Sequence, residues 1–120
     1  MYHKLELIGR VGRDPEMRFS PDGKAITSFS VAVNAGYGEH KKTLWVRVSA
    51  FTKLAEHCNE YLHKGSLVHV TGALNFDGAS GGPKLWERKD GTQGTSYELI
   101  AQGVTFLDSK NGENNDEAVF

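Results

Sequence analysis

Cysteine is almost absent from this sequence. The single cysteine, Cys58, allows no intramolecular disulfide, and a zinc site built from cysteine thiolates is equally excluded. The five histidines are scattered along the chain, and none belongs to an HExxH motif. No metal site and no other cofactor are therefore predicted.

Long apolar runs are missing as well. Every run is far shorter than the roughly 20 apolar residues that a transmembrane helix needs. The first residues lead directly into an alternating pattern, with neither a secretory signal nor an arginine-rich transit peptide. We therefore expect a cytoplasmic protein in a reducing compartment, with no membrane partner.

The chain also lacks an excess of one charge sign. Its formal net charge is -1, so the whole chain is not a polycation. Residues 108–120 hold four acids and one base, however, which leaves residues 1–107 with a net charge of +2. This division predicts a mildly basic domain over residues 1–107 that can take an anionic partner. It also predicts a short, acidic, disordered tail over residues 108–120.

Residues arranged for catalysis are not recognisable. No nucleophile and base can be paired from their spacing. The glycine-rich run from Gly78 to Lys84 lacks the Gly-Lys-Ser/Thr ending of a phosphate-binding loop and the helix that should follow it. Cys58 falls on an apolar helix face, which favours a buried and inert thiol. The sequence therefore predicts that the protein is not an enzyme.

Alternation of apolar and polar residues with period 2 is what the sequence does contain. It predicts five strands, over residues 4–11, 28–34, 43–51, 67–76 and 95–107. A helix is expected between the third and fourth strands, with Thr52 as its N-cap and Gly65 at its C′ position. Gly103 is expected to mark a β-bulge in the fifth strand.

The parity of each strand predicts which side chains fill the core. They are Leu5, Leu7 and Val11 in the first strand, Phe29, Val31 and Val33 in the second, Leu44, Val46, Val48 and Ala50 in the third, Val68, Val70, Leu74 and Phe76 in the fourth, and Tyr97, Leu99, Val104 and Phe106 in the fifth. The helix adds Leu54, Cys58, Tyr61 and Leu62 at helical spacing. Five strands in this order, with one helix, predict an all-β fold, the five-stranded Greek-key barrel of the OB-fold.

The third predicted strand carries an unusual outward face. When its even-numbered residues from Leu44 to Ala50 point inward, parity places Trp45, Arg47 and Phe51 on the opposite face. Aromatic planes can stack on bases, and a guanidinium can bind phosphate or stack. This stripe favours a surface for single-stranded nucleic acid of any sequence. The alternative is that its aromatic side chains pack against a subunit or a loop.

Other residues extend this surface as weaker candidates. Tyr37 lies between two glycines in a predicted loop, where simple solvent exposure is the alternative. Trp86 lies with Lys84 and Arg88 in the long predicted hairpin connection, and anchoring of that hairpin is its alternative role. Lys53 offers a further phosphate contact, although single surface lysines are usually only solvated.

Several blocks of sequence resemble the bacterial single-stranded DNA-binding protein family. They run from His3 to Phe19, from Thr43 to Glu56, from Tyr61 to Gly65 and from Leu85 to Gly91. The resemblance covers residues 3–107, nearly the whole predicted domain. It implies an OB-fold in the bacterial cytoplasm, associated with the nucleoid. Such proteins assemble as homotetramers, around which single-stranded DNA wraps during replication, repair and recombination.

The same resemblance implies roles for individual residues. Tyr37, Trp45, Phe51 and Trp86 fall where the family places its base-stacking aromatics, and Lys53 matches a basic position of the family motif. With the charged side chains named above, the residues expected to bind nucleic acid are Tyr37, Trp45, Arg47, Phe51, Lys53, Lys84, Trp86 and Arg88.

The family also carries an acidic tail that ends in Pro-Phe and recruits partner proteins. In this sequence the last residues include Asp116, Glu117 and Phe120, and no proline precedes the terminal phenylalanine. Two interpretations stay open: the tail docks with replication and repair proteins, or it is a solvated terminus.

Two functions of different classes follow from these patterns. The first is sequence-independent binding and protection of single-stranded DNA, by base stacking and phosphate contacts. The alternative is a protein-assembly module in which the aromatic stripe forms a subunit interface. A nuclease is disfavoured because no carboxylate-rich metal site is visible in the sequence.

Overall fold

A computed structural model describes residues 1–108 of the chain. The predicted tail residues Asp116, Glu117 and Phe120 lie outside the described residues. The elements in chain order are β1 (Leu5–Val11), β2 (Glu16–Phe19), β3 (Ala25–Ala35), a short 3-10 helix (Gly38–His40), β4 (Lys42–Phe51), α1 (Thr52–Tyr61), β5 (Leu67–Asn75), β6 (Lys84–Glu87) and β7 (Gln93–Phe106).

Five of the strands close into a barrel. They neighbour one another in the order β1, β5, β7, β4, β3, and β3 returns to β1 through the pairs Arg10–Ala32 and Val11–Val31. The β4–β7 pair is parallel, whereas the other pairs of the barrel are antiparallel. The single α-helix of the described residues follows β4 and precedes β5. This arrangement confirms the predicted OB-fold order.

Two short strands were not predicted from the sequence. β2 pairs antiparallel with the first residues of β3, and β6 pairs antiparallel with the first residues of β7. Each has only four residues and lies among turn-forming residues, so no alternation long enough to indicate a strand is present. Both strands widen the sheet beside the barrel, and both carry charged side chains that become important below.

The core fills the barrel and the space beneath α1. Val31, Val48, Val68 and Val70 are fully buried, and so is Cys58 on the inner face of α1. These positions confirm the inward parity predicted for the middle of each strand. The helix is tied to the barrel by a hydrogen bond as well, since the buried Thr27 hydroxyl donates to the Ala55 carbonyl oxygen at 2.6 Å. The core therefore fixes the orientation of β3 and β4, the strands that present the candidate site.

Four strand side chains predicted to be buried are exposed instead, and so is Tyr61 of the helix. Leu44 is 43% exposed, Leu74 39%, Phe76 49% and Tyr97 52%. All four have inward parity, but they lie at or beyond the rim where the barrel closes. There the strands run on as two arms, residues 33–44 from β3 and β4 and residues 74–97 from β5, β6 and β7. An inward side chain at the rim has no opposite wall to pack against.

The ends of α1 also differ from the prediction. Thr52 is the first helical residue and not the N-cap; its φ is 55°, and its hydroxyl donates to the Phe51 carbonyl oxygen at 2.7 Å. The helix ends at Tyr61, which is half-exposed, because Leu62 leaves the helical conformation to enter the core. Gly65 has φ of 94° as a turn residue outside the helix, where its N–H donates to Val11.

The predicted irregularity in the last strand is present. Thr71 pairs with Gly103, and the next residue of β5, Gly72, pairs with Ala101. Gln102 is thus the extra residue of a β-bulge beside Gly103. The bulge moves Val104 and Phe106 to the side that packs against the core, as the shift of apolar parity in the sequence indicated.

Candidate nucleic-acid interface

The outward face of β4 carries the three side chains that parity placed there. Trp45 is 55% exposed, Phe51 is 39% exposed and Arg47 is also exposed. Their inward neighbours Val46 and Val48 have exposures of 1% and 0%. The strand thus presents rings and a guanidinium to solvent because its other face seals the core.

Register places two further predicted residues on the same face. Arg47 pairs with Glu98 of β7, and two residues earlier in β7 Ser96 pairs with Lys84 of β6. Paired residues share a side of the sheet, and so do residues two apart along a strand. Lys84 therefore shares the outer face with Arg47. Trp86, two residues beyond Lys84, also lies on this face and is 46% exposed.

Each tryptophan of this face packs against a glycine, Trp45 against Gly12, which follows β1, and Trp86 against Gly94 of β7. A Cβ atom added to Gly12 would lie 2.6 Å from Cζ3 and 3.0 Å from Cη2 of Trp45. The indole thus reaches across Ala32, its partner in β3, to cover the Gly12 backbone. A Cβ atom added to Gly94 would lie 2.5–2.8 Å from three atoms of the Trp86 indole. The two glycines set how flat the rings lie against the sheet.

Arg88 braces the second tryptophan. Its guanidinium carbon lies 4.8 Å from the centroid of the Trp86 ring, which is within cation–π distance. The same guanidinium donates to the Gln93 carbonyl oxygen at 2.7 Å. Arg88 therefore connects the Trp86 ring to the β6–β7 hairpin. The ring contacts its hairpin, as the alternative role supposed, and is nevertheless 46% exposed.

Two predicted residues lie apart from the sheet face. Tyr37 is 90% exposed, in the loop that links β3 to the 3-10 helix. Lys53 is an exposed residue of the first turn of α1 and follows Phe51 by two positions. Both flank the ends of β4, so they can contact a ligand only where it extends beyond the sheet.

Two arginines of the same face were missed by the sequence reasoning. Arg18 of β2 pairs with Ile26, which in turn pairs with Phe51, so the three share one outward row. Arg13 and Arg47 line a common depression of about 230 Å³. Arg13 precedes an Asp-Pro turn and β2 is too short to show alternation. The signal that could have found them is the pairing of β2 with β3 and of β3 with β4, which the sequence pattern does not show.

Acidic side chains lie on this face too, but none is within 4.0 Å of a basic group there. The ion pairs found among residues 1–108 are Arg10–Asp108, Lys24–Asp22 and His69–Glu6. Glu98, beside Arg47 in register, accepts hydrogen bonds from Asn75 and Ser96 instead. Away from the face, hydrogen bonds from Thr92 hold the pKa of Asp90 below its usual value, which stabilises the turn between β6 and β7.

Neither a metal centre nor a membrane span is found in the part of the chain that the structure describes. No three His, Cys, Asp or Glu side chains of residues 1–108 converge to hold an ion. Their one α-helix is not long and apolar enough to cross a membrane. The chemistry open to the face described above is stacking, cation–π contact and ion pairing with an anion.

Comparison with known proteins gives a consistent match. The profile of the single-strand binding protein family matches residues 2–107. A single-stranded DNA-binding protein of Neisseria meningitidis is 34% identical over 123 residues, which are 98% of this chain and 66% of the relative. Proteins of the same name from Staphylococcus aureus and Caldanaerobacter subterraneus are 33% and 35% identical, over 74% and 76% of their lengths. The chain thus spans just under two thirds of the length of the Neisseria protein.

Proposed function

This chain belongs to the single-strand binding protein family, a non-catalytic family of DNA-binding proteins, and from that membership we propose that it binds single-stranded DNA without reading its sequence. Residues 1–107 are the DNA-binding unit of this proposal. The observation that supports it most is the outward row of exposed rings and cations on β4 and β6. A sheet face that exposes two indoles and a phenyl ring costs hydration free energy unless a partner covers it.

Stacking explains why the binding is independent of sequence. Every base has a π face, and each base stacked on an aromatic side chain contributes about 1–3 kcal/mol. Trp45, Phe51 and Trp86 are the stacking residues of the proposal, and Tyr37 adds a fourth ring where the bound strand leaves the sheet. The rings offer planes and few hydrogen-bonding groups, so base edges are not distinguished.

The cations of the face contact the DNA backbone. Arg47, Lys84 and, beyond the end of β4, Lys53 neutralise phosphates between the stacked bases. Arg88 acts through Trp86, because its guanidinium is already bonded within the hairpin. Each released counterion makes the affinity fall with rising salt concentration.

A homotetramer is part of the proposal. An exposed apolar side chain on another strand, Ile8 of β1 at 40% exposure, supports an assembly through a surface outside the aromatic row. An assembly of this kind would act in replication, repair and recombination in the cytoplasm of a bacterial cell. The acidic tail, with Asp116, Glu117 and Phe120, would recruit partner proteins of those processes.

A fluorescence titration tests the DNA binding. Oligo-dT is added to the protein at several salt concentrations, and tryptophan emission is recorded. We expect quenching that saturates, with an affinity that falls as salt rises. A duplex of the same length should compete poorly, because its bases are not free to stack. Equal affinity for the duplex would overturn the proposal.

One variant separates DNA binding from the alternative of an assembly module. Trp45→Ala should weaken oligo-dT binding by about 1–3 kcal/mol and leave the mass measured by light scattering unchanged. If the aromatic row is a subunit interface, the same variant should dissociate the oligomer. Ile8→Lys is the complementary variant, expected to lower the oligomer mass while single-stranded DNA is still bound.

A further inference from the structure

Two depressions adjoin each other beside Trp45 on the outer face of the barrel. One has a volume of about 310 Å³ and is lined by Gly12, Arg13, Ser30 and Trp45. The other, of about 230 Å³, is the depression that Arg13 shares with Arg47, and Ser28, Ser30, Asp14 and Glu16 line it too. Because Arg13 and Ser30 line both, a ligand seated against the indole would extend directly into the second depression.

We infer that Arg13 and Arg47 form a clamp for one backbone phosphate, in the nucleotide whose base stacks on Trp45. The inference rests on the proposed function and adds to it a defined phosphate position and a residue, Arg13, that the aromatic row does not include. A guanidinium presents a planar fork of donors that matches the oxygens of a phosphate, so two of them can hold one phosphate from both sides.

Within residues 1–108, no ion pair holds either arginine of the clamp. Neither Arg13 nor Arg47 forms an ion pair within 4.0 Å in the described residues, whereas Arg10 is held by Asp108 at 3.6 Å and by the Gly65 carbonyl oxygen at 2.8 Å. Arg10 is thus held by bonds within the fold, which it stabilises. The two that line the depression remain available to a ligand.

Hydroxyl groups complete the floor of the clamp. Ser28 and Ser30 lie on the outward side of β3, because they pair with Ser49 and Arg47 of β4. Their side chains are half-buried and enter none of the hydrogen bonds found among residues 1–108. A hydroxyl that faces a depression can donate to a phosphate oxygen without loss of an existing bond.

Two carboxylates that line the second depression, those of Asp14 and Glu16, repel a bound phosphate. They differ in whether a hydrogen bond within the fold holds them. One oxygen of Asp14 accepts the Lys64 backbone N–H at 2.8 Å, which orients that carboxylate toward the α1–β5 connection. Glu16 pairs with Ser28 in register and so lies on the outer face next to the clamp. Glu16 therefore weakens phosphate binding, and its neutralisation should strengthen it.

The clamp implies a direction for the bound strand. Arg13 lies on the β3 side of Arg47, away from β7, so a phosphate held between them draws the backbone from Trp45 across β3. That path leads toward Arg18, whose row ends at Phe51. A strand that ran straight along β4 would contact Arg47 and leave Arg13 in water.

The salt dependence of oligo-dT binding tests the clamp. Arg13→Gln should weaken binding about fivefold, as expected for one exposed charge-assisted contact. The slope of log K against log salt should become shallower by about 0.7, the change for one phosphate contact to a single strand. The fluorescence quench at saturation should stay unchanged because the base still stacks on Trp45. Glu16→Gln should shift the affinity in the opposite direction.

Two further variants separate a positioned guanidinium from bulk charge. Lys24→Gln removes one positive charge from the β2–β3 turn, outside both depressions, where Lys24 lies 3.9 Å from Asp22; it should leave the slope nearly unchanged. Arg13→Lys keeps the charge but loses the fork, so it should retain the slope and lose part of the affinity.

The outcomes distinguish a failure of the clamp from a failure of the proposed function. If the wild-type protein fails to bind oligo-dT, the proposed function is wrong, and the clamp falls with it. If the wild-type protein binds and Arg13→Gln matches Lys24→Gln in affinity and slope, the clamp is wrong while the function stands.

Discussion

The closed barrel and the two arms that leave it follow the same alternation but differ in what the alternation achieves. Leu74 and Leu99 are direct partners in the β5–β7 ladder and share the inward side of the sheet. Leu99 is 1% exposed, whereas Leu74 is 39% exposed. The difference shows that inward parity buries a side chain only where the opposite wall of the barrel is present.

The largest expected effect comes from truncating this pair. Leu99→Ala should lower the free energy of unfolding by about 2–5 kcal/mol, because it opens a cavity in a core that cannot collapse around it. Leu74→Ala should cost less, about 1 kcal/mol, because a side chain that is already 39% exposed loses less buried surface and leaves no closed cavity. Urea denaturation of both variants measures the difference, and equal costs would mean that the arm is packed as tightly as the barrel.

A pH titration tests how well the barrel and α1 exclude water. Burial raises the pKa of the Cys58 thiol from 9.0 to about 11. Between these values the unfolded chain loses a proton that the folded chain keeps, so stability is full below pH 9 and is lost as the pH rises toward 11. The loss is at most about 1.4 kcal/mol per pH unit.

Cys58→Ala is the matched variant for this measurement. Other groups titrate in the same range, so only the difference between wild type and variant reports on the thiol. Identical pH dependence for the two proteins would show that the thiol titrates normally in the folded state. A thiol reagent at pH 8 should likewise modify Cys58 only after the protein unfolds.

The glycines beneath the two tryptophans allow the barrel and an arm to be compared at the proposed binding surface. Gly12 belongs to the barrel side and Gly94 to an arm, and each would place a Cβ atom within 2.6 Å of an indole. Gly12→Ala should tilt Trp45 and lose part of the about 1–3 kcal/mol that a stacked base contributes. Gly94→Ala should lose less, because β6 pairs with β7 alone and is less restrained than β4 against a shift of the ring. Fluorescence titration with oligo-dT measures both effects.

A third glycine is the control for that experiment. A Cβ atom at Gly78 would meet no other heavy atom within 4 Å. Gly78→Ala should therefore bind oligo-dT like the wild type. If all three variants bound oligo-dT alike, Gly12 and Gly94 would not determine the orientation of the tryptophan rings.

The smallest expected effect lies at the junction of barrel and helix. Thr52 has φ of 55°, a conformation that costs a β-branched residue about 1 kcal/mol and costs glycine almost nothing. Thr52→Gly should therefore raise the urea midpoint slightly, even though it removes the hydroxyl bond to Phe51. Thr52→Ala keeps a Cβ atom and should show no gain; a gain of equal size in both variants would point to the hydroxyl instead.

Much of the site was predictable because β4 alternates without interruption. The alternation from Leu44 to Phe51 was sufficient to place Trp45, Arg47 and Phe51 on one face. Lys84 and Trp86 were recognised as candidates from composition and resemblance, but their side of the sheet follows only from the β6–β7–β4 register. Arg13 and Arg18 were missed because Arg13 precedes a turn and Arg18 lies in a strand of four residues, where a single sequence carries no periodic signal.

The sequence by itself determined the five barrel strands in chain order, the position of the helix between β4 and β5 and the outward face of β4, because these depend on local alternation and turn formers. Where the barrel ends was decided only by tertiary structure, since burial of Leu44, Leu74 and Tyr97 requires a wall contributed by distant strands. The tertiary structure alone also brought Gly12 beneath Trp45 and Arg13 beside Arg47. The residues of each contact are more than thirty positions apart in the sequence. They meet because β1 and β4 both pair with β3, and local alternation cannot specify that pairing.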